Sequence, residues 1–132
     1  MKYTETTIKD NEGKEIVLKF RLTSSNAMAL EDKFKKPVVE YLQEESMTMI
    51  ITMLRYMLMW NEPNIGIQKA SEIYDMLIEN GWTYKKIIQD IIYETLVVSG
   101  FLEKSQWEEM KKETAEAVKK LNEMKKKALE SI

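Results

Sequence analysis

Histidine and cysteine are both absent from this 132-residue sequence, and each absence removes a class of chemistry. Without cysteine there is no disulfide, no thiolate nucleophile and no thiolate metal ligand. Without histidine the commonest general base and the commonest metal ligand are missing. We therefore expect a protein that is not an enzyme and that holds no cofactor or metal.

Arginine is scarce as well, because Arg21 and Arg55 are the only two in the chain. Arginine side chains dominate contacts with base edges and phosphates, and a net charge of −2 attracts neither nucleic acid nor anionic lipid. The first ten residues are polar and lack the apolar core of a signal peptide. We expect a cytoplasmic protein that binds neither nucleic acid nor membrane.

Alternation of apolar and polar residues predicts a β-hairpin over residues 2–22. Four apolar residues share one face of its second arm: Ile16, Leu18, Phe20 and Leu22. Gly13 suits the turn because it tolerates a positive φ. The threonine-rich first arm is predicted to be an edge strand, which can pair with another subunit.

After residue 22 the hydrophobic period changes to that of α-helices. Helices are predicted over 27–34, 37–42, 46–60, 67–80 and 84–99. Residues 23–26, TSSN, are of N-cap type, and Thr83 can cap the last of these helices. Pro37 separates the first two helices, and residues 61–64, Gly81 and Gly100 mark later breaks.

The helix over 46–60, SMTMIITMLRYMLMW, is apolar on all sides and carries five of the ten methionines. Such a helix is enclosed by its own protein or offers an apolar surface to another. Its length of about 22 Å is too short for the roughly 30 Å core of a membrane. We interpret it as a core helix that also lines, in part, a partner-binding groove. The groove residues are predicted to be Met49, Met53, Met57 and Trp60.

Two charged features have structural explanations. Arg55, alone in the apolar helix, is predicted to pair with an acid such as Glu44, Glu45 or Glu94. The carboxylates of Glu72, Asp75 and Glu79 share one helix face, and their spacing would suit acid–base work or Mg²⁺ binding. We interpret that face as a solvated surface, because exposed carboxylates rarely have catalytic roles.

The C-terminal segment 103–132 predicts a long amphipathic helix that begins at a capping box, Ser105 to Glu108. Its apolar residues recur at alternating intervals of three and four, as in a coiled-coil seam. The residues predicted to mediate self-association are Trp107, Met110, Leu121 and Met124.

The predicted fold class is therefore mainly α (α+β), with an N-terminal β-hairpin, a compact helical core and a long C-terminal amphipathic helix. We expect one globular domain over 1–102, with the hairpin in 1–22 and the helical core in 23–102. The coiled-coil-like helix occupies 103–132. A chain of 132 residues is long enough for one such domain with a modest core.

Three segments resemble a known family. Residues 21–31, RLTSSNAMALE, are similar to the L-T-x-x-N-A-x-x-L-E run that opens the tail assembly chaperones of siphophages and prophages of Gram-positive bacteria. Residues 73–81, IYDMLIENG, and 99–101, SGF, resemble later blocks of that family, so the similarity spans about 16–102. One departure lies at residues 34–37, where the family more often has a glycine-containing turn before the proline.

The resemblance implies a non-catalytic protein that binds the phage tape measure protein during tail assembly, with the tail tube protein as a second candidate client. It further implies a homo-oligomer that acts in the bacterial host cytoplasm and is absent from the mature virion. Two alternatives stay open at this point. One is a small helical adaptor or regulatory protein, and the other is a structural tail completion protein.

Overall fold

The computed structural model describes residues 2–109, 120, 123–124 and 126–128. The chain divides into two compact units, Met1–Phe101 and Leu102–Ile132. A two-stranded antiparallel sheet opens the first unit and helices follow it, which confirms the predicted fold class. The elements of this unit are β1 (Thr4–Lys9), β2 (Glu15–Phe20), α1 (Ser24–Phe34), α2 (Val38–Leu42), α3 (Met47–Leu58), α4 (Ile67–Glu79), α5 (Tyr84–Lys86), the π-helical segment π1 (Ile87–Tyr93) and α6 (Glu94–Val98).

The predicted hairpin is present, and its turn forms as the sequence suggests. The Asp10 carboxylate accepts hydrogen bonds from the backbone N–H groups of Glu12 and Lys14, each at 2.9 Å. Gly13 has φ +80°, a conformation that a residue with a Cβ rarely adopts. Ile8 of β1 and Leu18 of β2 are buried, so the inner face of the sheet contributes to the core.

Side-chain caps fix the starts of three helices. The hydroxyls of Thr23, Ser46 and Thr83 each accept a hydrogen bond from the backbone N–H three residues later, at 3.1 to 3.2 Å. Each bond satisfies one of the four N–H groups that a helix start leaves without an internal partner. The predicted cap at Thr83 is confirmed, and among the cap-type residues at 23–26 it is Thr23 that caps α1.

The junction between α1 and α2 is held by two residues from the C-terminal end of α1. Lys35 ends α1 in the left-handed conformation, with φ +56°, and its N–H donates to the Glu31 carbonyl at 2.8 Å. The Glu31 carboxylate accepts the N–H of Val38 at 2.9 Å and so caps α2. Lys35 thus adopts the conformation that glycine favours at a helix end.

Helix α3 is the centre of the first unit. Nine of its twelve residues are buried, and it packs against β2, α1, α4 and π1. Ile50 and Leu54 are fully buried, and so are Met49, Met53 and Met57 on other sides of the helix. The interpretation of this segment as a core helix is confirmed.

The helix predicted over 84–99 is continuous but not regular, because its middle is the π-helical segment π1. A π-helix closes i→i+5 hydrogen bonds, so its turn accommodates more residues than an α-turn. Tyr93 is thereby buried beside Ile91 and Ile92. The predicted end is confirmed: Gly100 has φ +88°, and the Phe101 N–H donates to the Leu96 carbonyl at 2.8 Å.

In the second unit, a helix covers 104–109, which we label α7. The prediction that Ser105 caps this helix is wrong by two residues. The Glu103 N–H donates to the Gln106 side chain at 3.2 Å, and the Glu103 carbonyl accepts from the Trp107 N–H at 3.1 Å. The helix therefore begins after Glu103. Most of the predicted coiled-coil seam lies outside the described residues.

Candidate functional site

The predicted groove residues do not form an open surface. Met49, Met53 and Met57 each have 0% of their surface exposed. The prediction that they contact a client is therefore corrected for this conformation, because a binding surface requires atoms that a partner can reach. The physical reason is the all-round apolar character of α3, which is surrounded by other elements of its own chain.

Trp60, the fourth predicted groove residue, is half-buried and anchors the end of α3 to the hairpin. Its Nε1–H donates to the Lys19 carbonyl of β2 at 3.0 Å. Its ring centroid lies 5.6 Å from that of Tyr3, and the Lys19 ammonium lies 5.4 Å from the Tyr3 centroid. A Trp that contacts both the backbone and an aromatic neighbour in this way has a structural role in the isolated chain.

Several large apolar side chains elsewhere are accessible instead, and three of them lie on α1, α2 and α3. Met28 is 69% exposed, Val39 is 43% exposed and Met47 is 45% exposed. We call these three residues the exposed apolar set. Helix α1 packs against both α2 and α3, so the set belongs to one cluster of helices. The exposure of Met28 could have been predicted from the sequence, because Met28 is not on the helix face that carries Ala27 and Leu30.

Arg55 does not make the predicted ion pair. Its Nε–H donates to the backbone carbonyl of Ile65 at 3.1 Å, and its guanidinium lies 5.6 Å from the centroid of the Tyr56 ring. Within the described part of the chain, no carboxylate lies within salt-bridge distance of it. Arg55 thus ties α3 to the loop before α4. A carbonyl acceptor satisfies the donor without burying a second charge.

The carboxylates on α4 line a shallow depression of about 330 Å³. Glu72, Asp75 and Glu79 border it together with Lys69 and Asn11, and all five side chains are exposed. The Lys69 ammonium lies 3.9 Å from a Glu72 carboxylate oxygen. In the described part of the chain, no three acidic side chains converge closely enough to hold a metal ion.

The second unit contributes two of the four residues predicted for self-association. Trp107 is buried, with 3% of its surface exposed, whereas Met124 is 67% exposed. Met110 and Leu121 lie outside the described residues, so the prediction for this seam stays a prediction.

Perturbed pKa values are found among tyrosines and one lysine. Burial raises the pKa of Tyr41, and the neighbouring Thr52 side chain offsets part of that rise. Burial also raises the pKa of Tyr93, with a smaller contribution from Glu45. The pKa of Lys36 is raised by its hydrogen bond with the Glu44 carboxylate. These shifts follow from packing and a surface ion pair, and none of them brings together an acid and a base for catalysis.

Comparison of the chain with known protein families, curated proteins and solved structures finds no match in any of the three. Among the described residues, no helix is both long enough and apolar enough to cross a membrane.

Proposed function

We propose that this protein is a non-catalytic tail assembly chaperone that binds the tape measure protein of a siphophage or prophage of Gram-positive bacteria. The tail tube protein is a second candidate client. The chaperone acts as a homo-oligomer in the cytoplasm of the bacterial host and is absent from the mature virion. The proposal rests on the resemblance of residues 21–31, 73–81 and 99–101 to that family.

The structure supplies a physical role for the first of these segments. Leu22, Ala27 and Leu30 are buried, the Thr23 hydroxyl caps α1, and the Glu31 carboxylate caps α2. The segment therefore determines how the hairpin is joined to two helices. Because these roles concern folding, the resemblance supports a shared fold, and the contact with a client must come from other residues.

The exposed apolar set is the observation that carries the client-binding part of the proposal. A long helical client buries apolar side chains when it docks, so its chaperone needs apolar atoms within reach of solvent. Met28, Val39 and Met47 meet that need, whereas Met49, Met53 and Met57 do not. Methionine also adapts its shape to varied partners, which suits a long client without one fixed contact sequence.

The test is co-expression of the tagged protein with the long coiled-coil protein encoded downstream of its gene. We expect the client to be soluble and to co-purify only when both are present. The double variant Met28→Lys/Met47→Lys should lose the client. A matched control, Ala29→Lys/Thr48→Lys, adds the same charge at exposed neighbouring positions of the same helices and should retain it.

Two results would overturn the proposal. A client that is equally soluble without this protein would favour an adaptor or regulatory role. Detection of the protein in purified phage particles would favour a structural tail completion protein. If the control variant loses the client together with the test variant, the exposed apolar set is not the docking surface. Circular dichroism of each variant shows whether it is still folded.

A further inference from the structure

The backbone of β1 has two edges, and the hydrogen bonds show which residues face each of them. Thr6 and Leu18 are opposite one another in the register, as are Ile8 and Ile16. The Lys9 N–H and carbonyl bond to Asn80, outside the sheet. Backbone groups alternate in direction along a strand, so those of Glu5 and Thr7 point away from β2 like those of Lys9.

Asn80 occupies one end of this outer edge. Its Oδ1 accepts the Lys9 N–H at 2.8 Å, and its Nδ2–H donates to the Lys9 carbonyl at 2.8 Å. A neighbouring strand would offer the same pair of bonds, one donor and one acceptor. Asn80 therefore makes the hydrogen bonds at Lys9 that a neighbouring strand would make, and it leaves no free backbone group there for pairing.

The remainder of the edge is open. The outward N–H and carbonyl groups of Glu5 and Thr7 have no hydrogen-bond partner among the residues that the structure describes, and both side chains are exposed. The outer edge of β2 is more fully covered. There the Lys19 carbonyl accepts from Trp60, and the Arg21 N–H donates to the Met57 carbonyl at 2.8 Å.

We propose that the outer edge of β1 pairs antiparallel with β1 of a second copy, in the register that places Thr6 opposite Thr6 about a two-fold axis. Unpaired backbone groups along an exposed strand edge form a template on which another strand can pair. In this register Glu5 of each copy pairs with Thr7 of the other through four backbone hydrogen bonds. The bonds of Asn80 to Lys9 are retained.

Charge and the Asn80 bonds select this register from its two neighbours. The neighbouring registers differ from this one by a shift of two residues. The shift in one direction would place Glu5 opposite Glu5 of the second copy, where like charges repel. The shift in the other direction would pair Glu5 with Lys9 of the second copy, but the Lys9 backbone groups are already bonded to Asn80. In the chosen register Lys9 lies diagonally across from Glu5 of the second copy, within reach of a long side chain, and this occurs twice by symmetry.

Disulfide trapping tests the register directly, because the natural chain has no cysteine. Thr6 would face its own copy at a Cα separation of about 4.5 Å, which a disulfide can span. We expect Thr6→Cys to form a cross-linked dimer under mild oxidation and Thr4→Cys, on the same face, to form little. Faster cross-linking of Glu5→Cys or Thr7→Cys would overturn the register.

Proline variants test whether the outer edge of β1 forms the dimer interface, without the use of a cross-link. Thr7→Pro removes an outward N–H without removing a bond between β1 and β2, and it does so in both copies. We expect its dimer dissociation constant in sedimentation equilibrium to rise by about tenfold or more. Val17→Pro, the matched change on the outer edge of β2, should leave that constant unchanged. The opposite ranking of these two variants, or a natural protein that stays monomeric at every concentration, would overturn the proposal.

Asn80→Ala supplies an independent readout with the opposite sign. Without the Asn80 side chain, the Lys9 groups become available and Glu5 can pair directly with Lys9 of the second copy. We expect association of the two copies to strengthen. In protein that also carries Asn80→Ala, cross-linking should increase for the Thr7→Cys variant and decrease for the Thr6→Cys variant. No effect of Asn80→Ala on the register would contradict the role assigned to Asn80. None of these measurements involves a client, so the register can fail while client binding holds. The inference rests on the homo-oligomer of the proposed function, and a protein that stays monomeric would contradict both.

Discussion

Lys35 offers a test of how backbone conformation limits the stability of the first unit. It ends α1 at φ +56° and ψ 36°, where its Cβ crowds the neighbouring carbonyl oxygen. Glycine has no Cβ and adopts this conformation without that penalty. We therefore predict that Lys35→Gly stabilises the protein.

The magnitude follows from three contributions. Relief of the left-handed conformation contributes about 1–2 kcal/mol to the free energy of unfolding. The greater freedom of glycine in the unfolded chain subtracts about 0.5–1 kcal/mol. Loss of the ion pair with Asp32, 3.3 Å long between side chains that are 79% and 85% exposed, subtracts at most a few tenths of a kcal/mol. The net gain is about 0.5 kcal/mol, which raises Tm by roughly 2–4 °C.

Thermal and urea unfolding followed by circular dichroism measure this gain. Lys35→Ala is the matched control, because it removes the same side chain and the same ion pair but keeps the Cβ. We expect it to be no more stable than the natural protein. If Lys35→Gly is not more stable than Lys35→Ala, the left-handed conformation imposes no penalty and the reasoning fails.

Three further predictions concern the core and the anchors. Met53→Ala should lower the unfolding free energy by about 2–5 kcal/mol because it leaves a cavity, whereas Met28→Ala, at an exposed position, should change it by less than about 0.5 kcal/mol in urea titrations. Burial raises the folded-state pKa of Tyr41 above its unfolded value. That contribution to stability is complete below about pH 10 and is lost as the pH rises through the folded pKa, so Tyr41→Phe should flatten the alkaline fall in unfolding free energy. Trp60→Phe keeps the aromatic contact but removes the bond to Lys19, and we expect a loss of about 1 kcal/mol by the same titration. Equal costs for the two methionine variants, an unchanged alkaline slope, or a neutral Trp60→Phe would each contradict the corresponding assignment.

Local signals in the sequence determined most of the fold. The turn at Gly13 and the caps at Thr23 and Thr83 depend on groups only a few residues apart, so their chemistry can be read from the chain. The apolar character of α3 likewise indicated burial. It could not indicate whether a second protein or the same chain provides that burial, because the hydrophobic effect is not directional.

The features that could not be predicted from the sequence depend mainly on contacts between residues that are far apart in the chain. Asn80 was predicted only as part of a helix end, and its bonds to Lys9 span 71 positions. Arg55 was assigned an acidic partner because a carboxylate is the usual one, whereas the fold places the Ile65 carbonyl beside it. The π-helical segment has no distinct residue pattern. Isoleucines spaced by one, three and four positions suit an α-helix equally well.

The bonds between Asn80 and Lys9 also constrain the order in which the molecule can be completed during synthesis. The hairpin leaves the ribosome first, yet Asn80 follows Lys9 by 71 residues and Ser99, which accepts the Leu22 N–H, follows Leu22 by 77. At ordinary elongation rates Asn80 emerges roughly 4–14 s after Lys9. A nascent chain stalled just before residue 80 therefore already contains Met57 and Trp60, which cover the outer edge of β2, but it lacks the residue that closes the outer edge of β1.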